Sequence, residues 1–242
     1  MPDKSKHLIA SSMHSDILVL TITNPPNNLM PPAFFNELHY HYQHMISPEV
    51  SAVIFTGEGH VFSKGADLAA MDTDGTASSE ERFVFANDLI NAVSRLDKPV
   101  IAAINGACLG GGFELALACH LRLSIPKARL GLPETSIGLV PGLGGLQRLI
   151  RLAGETRALE MVLLGDMISA EQAADWNLIN RILPKETFFE RVLLFTKTVL
   201  TGSREAIAAV LELAAGMREQ DDIRQTFETA RRFTKLVRNR MK

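Results

Sequence analysis

Two glutamates stand where a charge is costly. Glu114 sits inside Phe113-Glu114-Leu115-Ala116-Leu117-Ala118, directly after Gly110-Gly111-Gly112, with no other polar side chain nearby in the chain. Glu134 closes Gly131-Leu132-Pro133-Glu134, again beside apolar residues. Burying an unpaired carboxylate is expensive, so each acid is either held in an ion pair or used in chemistry. Two such acids converging on one water would form a general acid–base pair. The residues alone leave both readings open.

Gly110-Gly111-Gly112 falls between a predicted strand and a predicted helix. A helix N-terminus offers unpaired N–H groups and the positive end of a dipole, and glycine lets a substrate approach the backbone. Tight strand–helix packing is the alternative. The spacing is not that of a dinucleotide fold, and Gly142-Leu143-Gly144-Gly145 misses it too, because position 147 is Gln. No Gly-Lys-Ser/Thr occurs, so a nucleotide P-loop is excluded, and no Gly-x-Ser-x-Gly supports a hydrolase elbow. His39, His41 and His44 lie in one predicted helix, but His39 and His41 do not share a face, and nothing completes a ligand set. No metal site is expected. His120 ends a buried helix, where an imidazolium would favour the dipole. Cys108 and Cys119 lie in an apolar stretch and read as buried free thiols, which fits a reducing, cytoplasmic setting.

These residues need elements to position them. Strands are expected at Ile17 to Thr23, Ser51 to Thr56, Val100 to Ile104, Leu121 to Ile125 and Ile179 to Leu183. Helices are expected from Ala33 to Ile46, Ser79 to Leu96, Phe113 to Cys119, Gly144 to Arg151, Thr156 to Leu164 and Ala170 to Trp176. The first dozen residues read as a loose lead-in, and Met71 to Ser79 as a polar excursion. Beyond Pro184 no strand-like run remains. The division is an α/β core over residues 1–184 and a helical region over residues 185–242.

The chain has 242 residues, 46% hydrophobic and 21% charged, enough for one large core. A net charge of −2 argues against a polyelectrolyte binder. No run is long and apolar enough to span a membrane, and Met1 to Asp16 lacks the apolar segment of a secretory signal. Arg231, Arg232, Lys235, Arg238, Arg240 and Lys242 crowd the last twelve residues with no acid among them. Such a run is a solvated helix face or a phosphate or nucleic-acid contact, and a nucleic-acid partner is not the expectation.

Taken together, three stretches resemble the crotonase (enoyl-CoA hydratase/isomerase) superfamily. They are Phe62-Ser63-Lys64-Gly65-Ala66-Asp67-Leu68, then Lys98 to Gly106 continuing into Leu109 to Ala116, then Gly131 to Glu134 through Pro141-Gly142-Leu143-Gly144-Gly145 to Leu149. Order and spacing match over roughly residues 15 to 200. The resemblance implies a spiral of β-β-α turns with a C-terminal helical region, assembled as a trimer or a dimer of trimers. It places the N–H groups of Ala66 and Gly111 as an oxyanion hole and Glu114 and Glu134 at both positions of the catalytic acids. Lys64, Ala66, Asp67, Leu68 and Gly111 become substrate contacts. The implied substrate is an acyl-CoA thioester, with coenzyme A entering as part of it and no other cofactor. Relatives that only move a double bond often lack the first acid, so both together imply hydration of a 2-enoyl-CoA. One scaffold hosts many chemistries, so isomerisation, dehydration, decarboxylation and an RNA-binding relative stand as alternatives. The chain departs from the pattern at His120, where Asp is common, and at Leu146, where Thr is common. The closing helix of typical hydratases has no counterpart after Arg232, so the expected C-terminal region is shortened.

Overall fold

The computed structural model describes residues 7–71 and 77–216, with Arg231 and Thr234. Its first element, β1 (Ile9–His14), pairs antiparallel with β2 (Ile17–Ile22) around Ser15 at φ 61°. This corrects the reading of the first dozen residues as a loose lead-in. β1 is an edge strand whose only fully buried residue is Ile9. It therefore shows no apolar alternation, and its order comes from pairing with β2.

α1 (Pro32–Met45) follows, opened by a proline whose missing donor the first turn does not need. The chain then winds through turns that give one strand to each of two sheets. β3 (Ala52–Gly57) leads to β4 (Val61–Ser63) and α2 (Ala77–Ser94). β5 (Val100–Ile104) leads to β6 (Ala107–Leu109) and α3 (Gly111–Ala118). β7 (Leu121–Ser124) leads to β8 (Arg129–Gly131) and a 3-10 turn, Pro133–Ile137. After α4 (Gly145–Ala153) and α5 (Glu155–Leu164) come β9 (Ile168–Ser169), α6 (Ala170–Asp175), β10 (Arg181–Ile182) and α7 (Phe188–Val199).

One sheet runs β1-β2-β3-β5-β7-β10, parallel from β2 onward, and the other runs β4-β6-β8-β9. This is the expected spiral of β-β-α turns. Every residue of β5 is buried, as parallel strands covered on both faces should be. The second sheet is built from strands of two or three residues, too short for a periodicity to show.

Three polar groups, two of them buried, tie the layers. Arg122 donates to the carbonyls of Leu178 (2.7 Å) and Cys119 (2.6 Å), and Lys98 donates to those of Ser47 (2.9 Å) and Val50 (3.0 Å). His120 Nδ1 accepts from the Val100 N–H at 3.0 Å while Nε2 faces the Ser94 carbonyl at 3.3 Å. An accepting Nδ1 requires the neutral ring, so the imidazolium expected at this helix end gives way to a neutral splice between β5 and α2. Cys108 and Cys119 are buried and free, and burial pushes the Cys119 thiol up to about 12.

Beyond Pro184, α7 buries Phe188 and Val192 in the main core, and residues 204–216 form a further helix. Arg204 ties its start to the Pro48 carbonyl and Ser51 Oγ, each at 2.6 Å. Of the expected excursion from Met71 to Ser79, residues 72–76 lie outside the described residues, as do the apolar positions Ile223, Phe227, Phe233 and Val237 and the basic positions Arg232, Lys235, Arg238, Arg240 and Lys242. No helix of the described residues is long and apolar enough to cross a membrane.

Candidate active site

β4 ends at Ser63, and the chain turns sharply through Gly65 at φ 94°. Only glycine adopts that angle without strain, and a Cβ there would lie 2.8 Å from the Gly111 nitrogen. The turn is pinned to the start of α1: the Met30 N–H donates to the Gly65 carbonyl (2.9 Å) and the Asp67 N–H to the Met30 carbonyl (3.1 Å). Between them, the Ala66 N–H donates to no described residue. Gly111 opens α3, where the geometry of a helix leaves its N–H without an intrahelical acceptor. Ala66 and Gly111 both line one cavity of about 160 Å³. A Cβ on Gly111 would stand 3.5 Å from the Ala66 nitrogen, so the two donors are neighbours.

The triple glycine divides its work. Gly111 borders the cavity, whereas a Cβ on Gly112 would come within 2.6 Å of the Ser63 carbonyl oxygen. Close approach to a substrate and tight strand–helix packing both apply, at adjacent residues.

Glu114 lies one turn into α3 and lines the same cavity. Its Oε1 accepts from the N–H groups of Leu143 (2.7 Å) and Gly145 (2.8 Å). Its burial is nearly complete, and the loss of hydration pushes its pKa up to about 6; the two N–H donors and Arg148 pull the other way. Glu134 opens the Pro133–Ile137 turn, and its Oε2 is buried with no hydrogen-bond partner. Desolvation first, and the charge of Glu114 second, push it up to about 8. Both glutamates face one cavity beside two N–H groups that donate to no described residue.

Lys64 and Leu68, both exposed, also line the cavity. Asp67 does not; its Oδ1 accepts from the Ala70 N–H at 3.2 Å and caps the turn. The apolar wall is completed by Pro32 and Phe35 of α1, Phe83 and Ala86 of α2, and Ile137 and Leu139. Sequence reasoning missed these because apolar lining has the composition of core. It also missed Leu143 and Gly145, which act through backbone N–H groups. Asn87 was missed although its position carries a signal, a polar residue between Ala86 and Ile90 on the inward face of α2. Among the described residues, no group of three or more His, Cys, Asp or Glu side chains could hold a metal ion.

Residues 12–241 of the chain match the family model of enoyl-CoA hydratase/isomerase. This chain belongs to that family. It is 36% identical over 208 residues to a probable enoyl-CoA hydratase of Bacillus subtilis, covering 85% of this chain and 81% of that one. It is 38% identical over 172 residues to the peroxisomal fatty acid beta-oxidation multifunctional protein MFP2 of Arabidopsis thaliana, covering 69% of this chain but only 24% of that protein. Among solved structures, Pseudomonas aeruginosa DspI matches with a TM-score of 0.83 at 31% identity, covering 98% of this chain and 97% of that one. An enoyl-CoA hydratase from Bacillus anthracis matches with a TM-score of 0.82 at 29% identity, covering 96% and 91% respectively.

Proposed function

We propose that this chain adds water across the C2=C3 bond of a 2-enoyl-CoA thioester. The observation that carries the reading is the pair of buried glutamates on one cavity with two neighbouring N–H donors. Glu114 Oε1 accepts two N–H bonds, which favour its carboxylate, whereas Glu134 Oε2 is buried without a donor, which favours its acid, and different environments of this kind assign the roles. Near neutrality Glu114 is the carboxylate and Glu134 the carboxylic acid. Glu114 takes a proton from water as its oxygen adds to C3, and Glu134 delivers a proton to C2. The thioester oxygen accepts from the Ala66 and Gly111 N–H groups, and those bonds strengthen as enolate charge develops. Proton and hydroxide balance the double bond, so the step needs no metal or redox cofactor, and coenzyme A is carried by the substrate.

Lys64, exposed beside the cavity, suits a contact with the phosphates of coenzyme A, and Leu68 suits its apolar parts. The names of the relatives support a place in fatty acid beta-oxidation. The buried free thiols suit a reducing compartment such as the cytoplasm. The active form is a homo-oligomer, a trimer or a dimer of trimers.

The test is loss of crotonyl-CoA absorbance. Glu114→Gln and Glu134→Gln should each slow hydration by about 10²-fold or more, the scale of general acid–base groups, with coenzyme A affinity nearly unchanged. Hydration near the wild-type rate in Glu114→Gln would remove the two-acid mechanism and favour enoyl-CoA isomerisation.

A further inference from the structure

We infer that Asn87 is a positioning residue that orients Glu114 through the single peptide group between Gly142 and Leu143. The inference rests on the reading of Glu114 as the general base. Asn87 lies on α2 with 1% of its surface exposed. Its Nδ2 donates to the Gly142 carbonyl at 2.8 Å. That carbonyl shares a peptide plane with the Leu143 N–H, which donates to Glu114 Oε1 at 2.7 Å. An amide that accepts at oxygen is polarised toward donating at nitrogen, so the two bonds reinforce each other. The first bond also fixes the plane. A peptide flanked by glycine can rotate, and a rotated plane would aim its oxygen, not its N–H, at the carboxylate.

Packing alone does not account for an asparagine here. The second donor contact of Nδ2 is the Phe83 carbonyl of its own helix at 3.0 Å, and Oδ1 is buried with no partner. A leucine of similar shape would carry no orphaned acceptor. What leucine would not do is satisfy and hold Gly142. The neighbouring carbonyl is held from the same helix by a second route. Asn91, one turn on, accepts at Oδ1 from Arg148 at 2.6 Å, and Arg148 donates to the Leu143 carbonyl at 2.6 Å. α2 thus fixes two consecutive carbonyls of the loop whose N–H groups hold the base.

The charged groups that face Glu114 are Glu134, Arg148, and Lys64 and Arg82 on the shared cavity. Replacing Asn87 changes none of them, so a displaced titration would report the hydrogen bond. The experiment uses the full chain with crotonyl-CoA from pH 5 to 9. Asn87→Leu should lower kcat about three- to tenfold, the range of one ordinary hydrogen bond, with KM within about twofold. The acid limb of kcat/KM should move to higher pH by roughly 0.5 to 1, because the carboxylate form loses support. An unmoved acid limb in a natively folded variant overturns the inference, even if kcat falls, because that is the signature of a structural role. Should the leucine not fold, Asn87→Ala, which favours the helix and cannot clash, carries the same expectation and the same overturning result. Glu114→Gln runs beside it. Strong loss there with an unmoved limb in the Asn87 variant sinks only the inference; retained hydration in Glu114→Gln sinks the reading of the site on which it rests.

Discussion

Glu114 and Glu134 each occupy a place that destabilises their charged form, and this has a consequence for the fold that activity does not measure. Both hold protons in the folded state up to about 6 and about 8, above the ordinary carboxylate value of 4.5 in an unfolded chain. Between those limits the folded state binds more protons than the unfolded one. Their contribution to stability is therefore greatest at acid pH and falls as pH rises through this window. A tenfold difference in proton affinity between the folded and unfolded chain is worth about 1.4 kcal/mol, and Glu134 carries the larger share. Glu134→Gln should thus gain over wild type with rising pH, by little near pH 5 and by several degrees in Tm near pH 8.5, at roughly 2–4 °C per kcal/mol for a chain of this size. A Tm difference that stays constant from pH 5 to 8.5 would show that Glu134 is not held protonated. The two acids were legible in the sequence for the same physical reason, since a carboxylate in an apolar run needs explaining. What holds Glu114 was not legible, because the N–H groups of Leu143 and Gly145 belong to every sequence alike. The place of His120 at a helix end misleads in the same way; only the contact with Val100 reveals that its ring accepts a hydrogen bond.

Elements decide how firmly those residues are placed. α4 begins at Gly145, against the side chain of Glu114, and a Cβ there would lie 2.6 Å from Glu114 Cγ and 2.8 Å from Oε1. Alanine is otherwise the better helix residue, by up to about 1 kcal/mol. Gly145→Ala should therefore keep the fold while displacing the carboxylate, and misplacement by about 1 Å can cost 10²-fold in rate. The checks are thermal melting and crotonyl-CoA hydration: a melt close to wild type with at least a tenfold fall in kcat is expected. Full activity would mean that Glu114 has room the geometry does not suggest. Periodicity locates the longer elements well, with α1, α2, β3 and β5 falling within a residue or two of expectation. The whole second sheet escapes it, because β4, β6, β8 and β9 have no length in which a pattern could repeat. Yet β4 leads through Lys64 and Gly65 to Ala66, and β6 leads through Gly110 to Gly111, so the strands that aim the candidate oxyanion donors are those the sequence hid best.

At the scale of the whole molecule, several described helices carry exposed large apolar side chains. Leu194 on α7 is 66% exposed, and Val210 and Leu213, one turn apart on the helix over residues 204–216, are 64% and 67% exposed. On α5, Leu163 and Leu164 are 70% and 63% exposed. Single exposed leucines are ordinary, but clusters of them on helix faces mark interfaces. Among the described residues no strand follows Pro184, and α7 anchors this helical part to the core through Phe188 and Val192. Leu194, Val210 and Leu213 stand exposed on the two described helices of this part. We expect a homo-oligomer built through this region, a trimer or a dimer of trimers, with a mass by light scattering at least three times that of the 26.5 kDa chain. Leu213→Glu puts a charge where the contact would exclude water, and burying an unpaired charge is expensive. That variant should shift the scattering mass toward the monomer while leaving thermal stability of the separated chain near wild type. A clean monomer mass for the wild-type protein at micromolar concentration would defeat the expectation, and the exposed leucines would then need another partner.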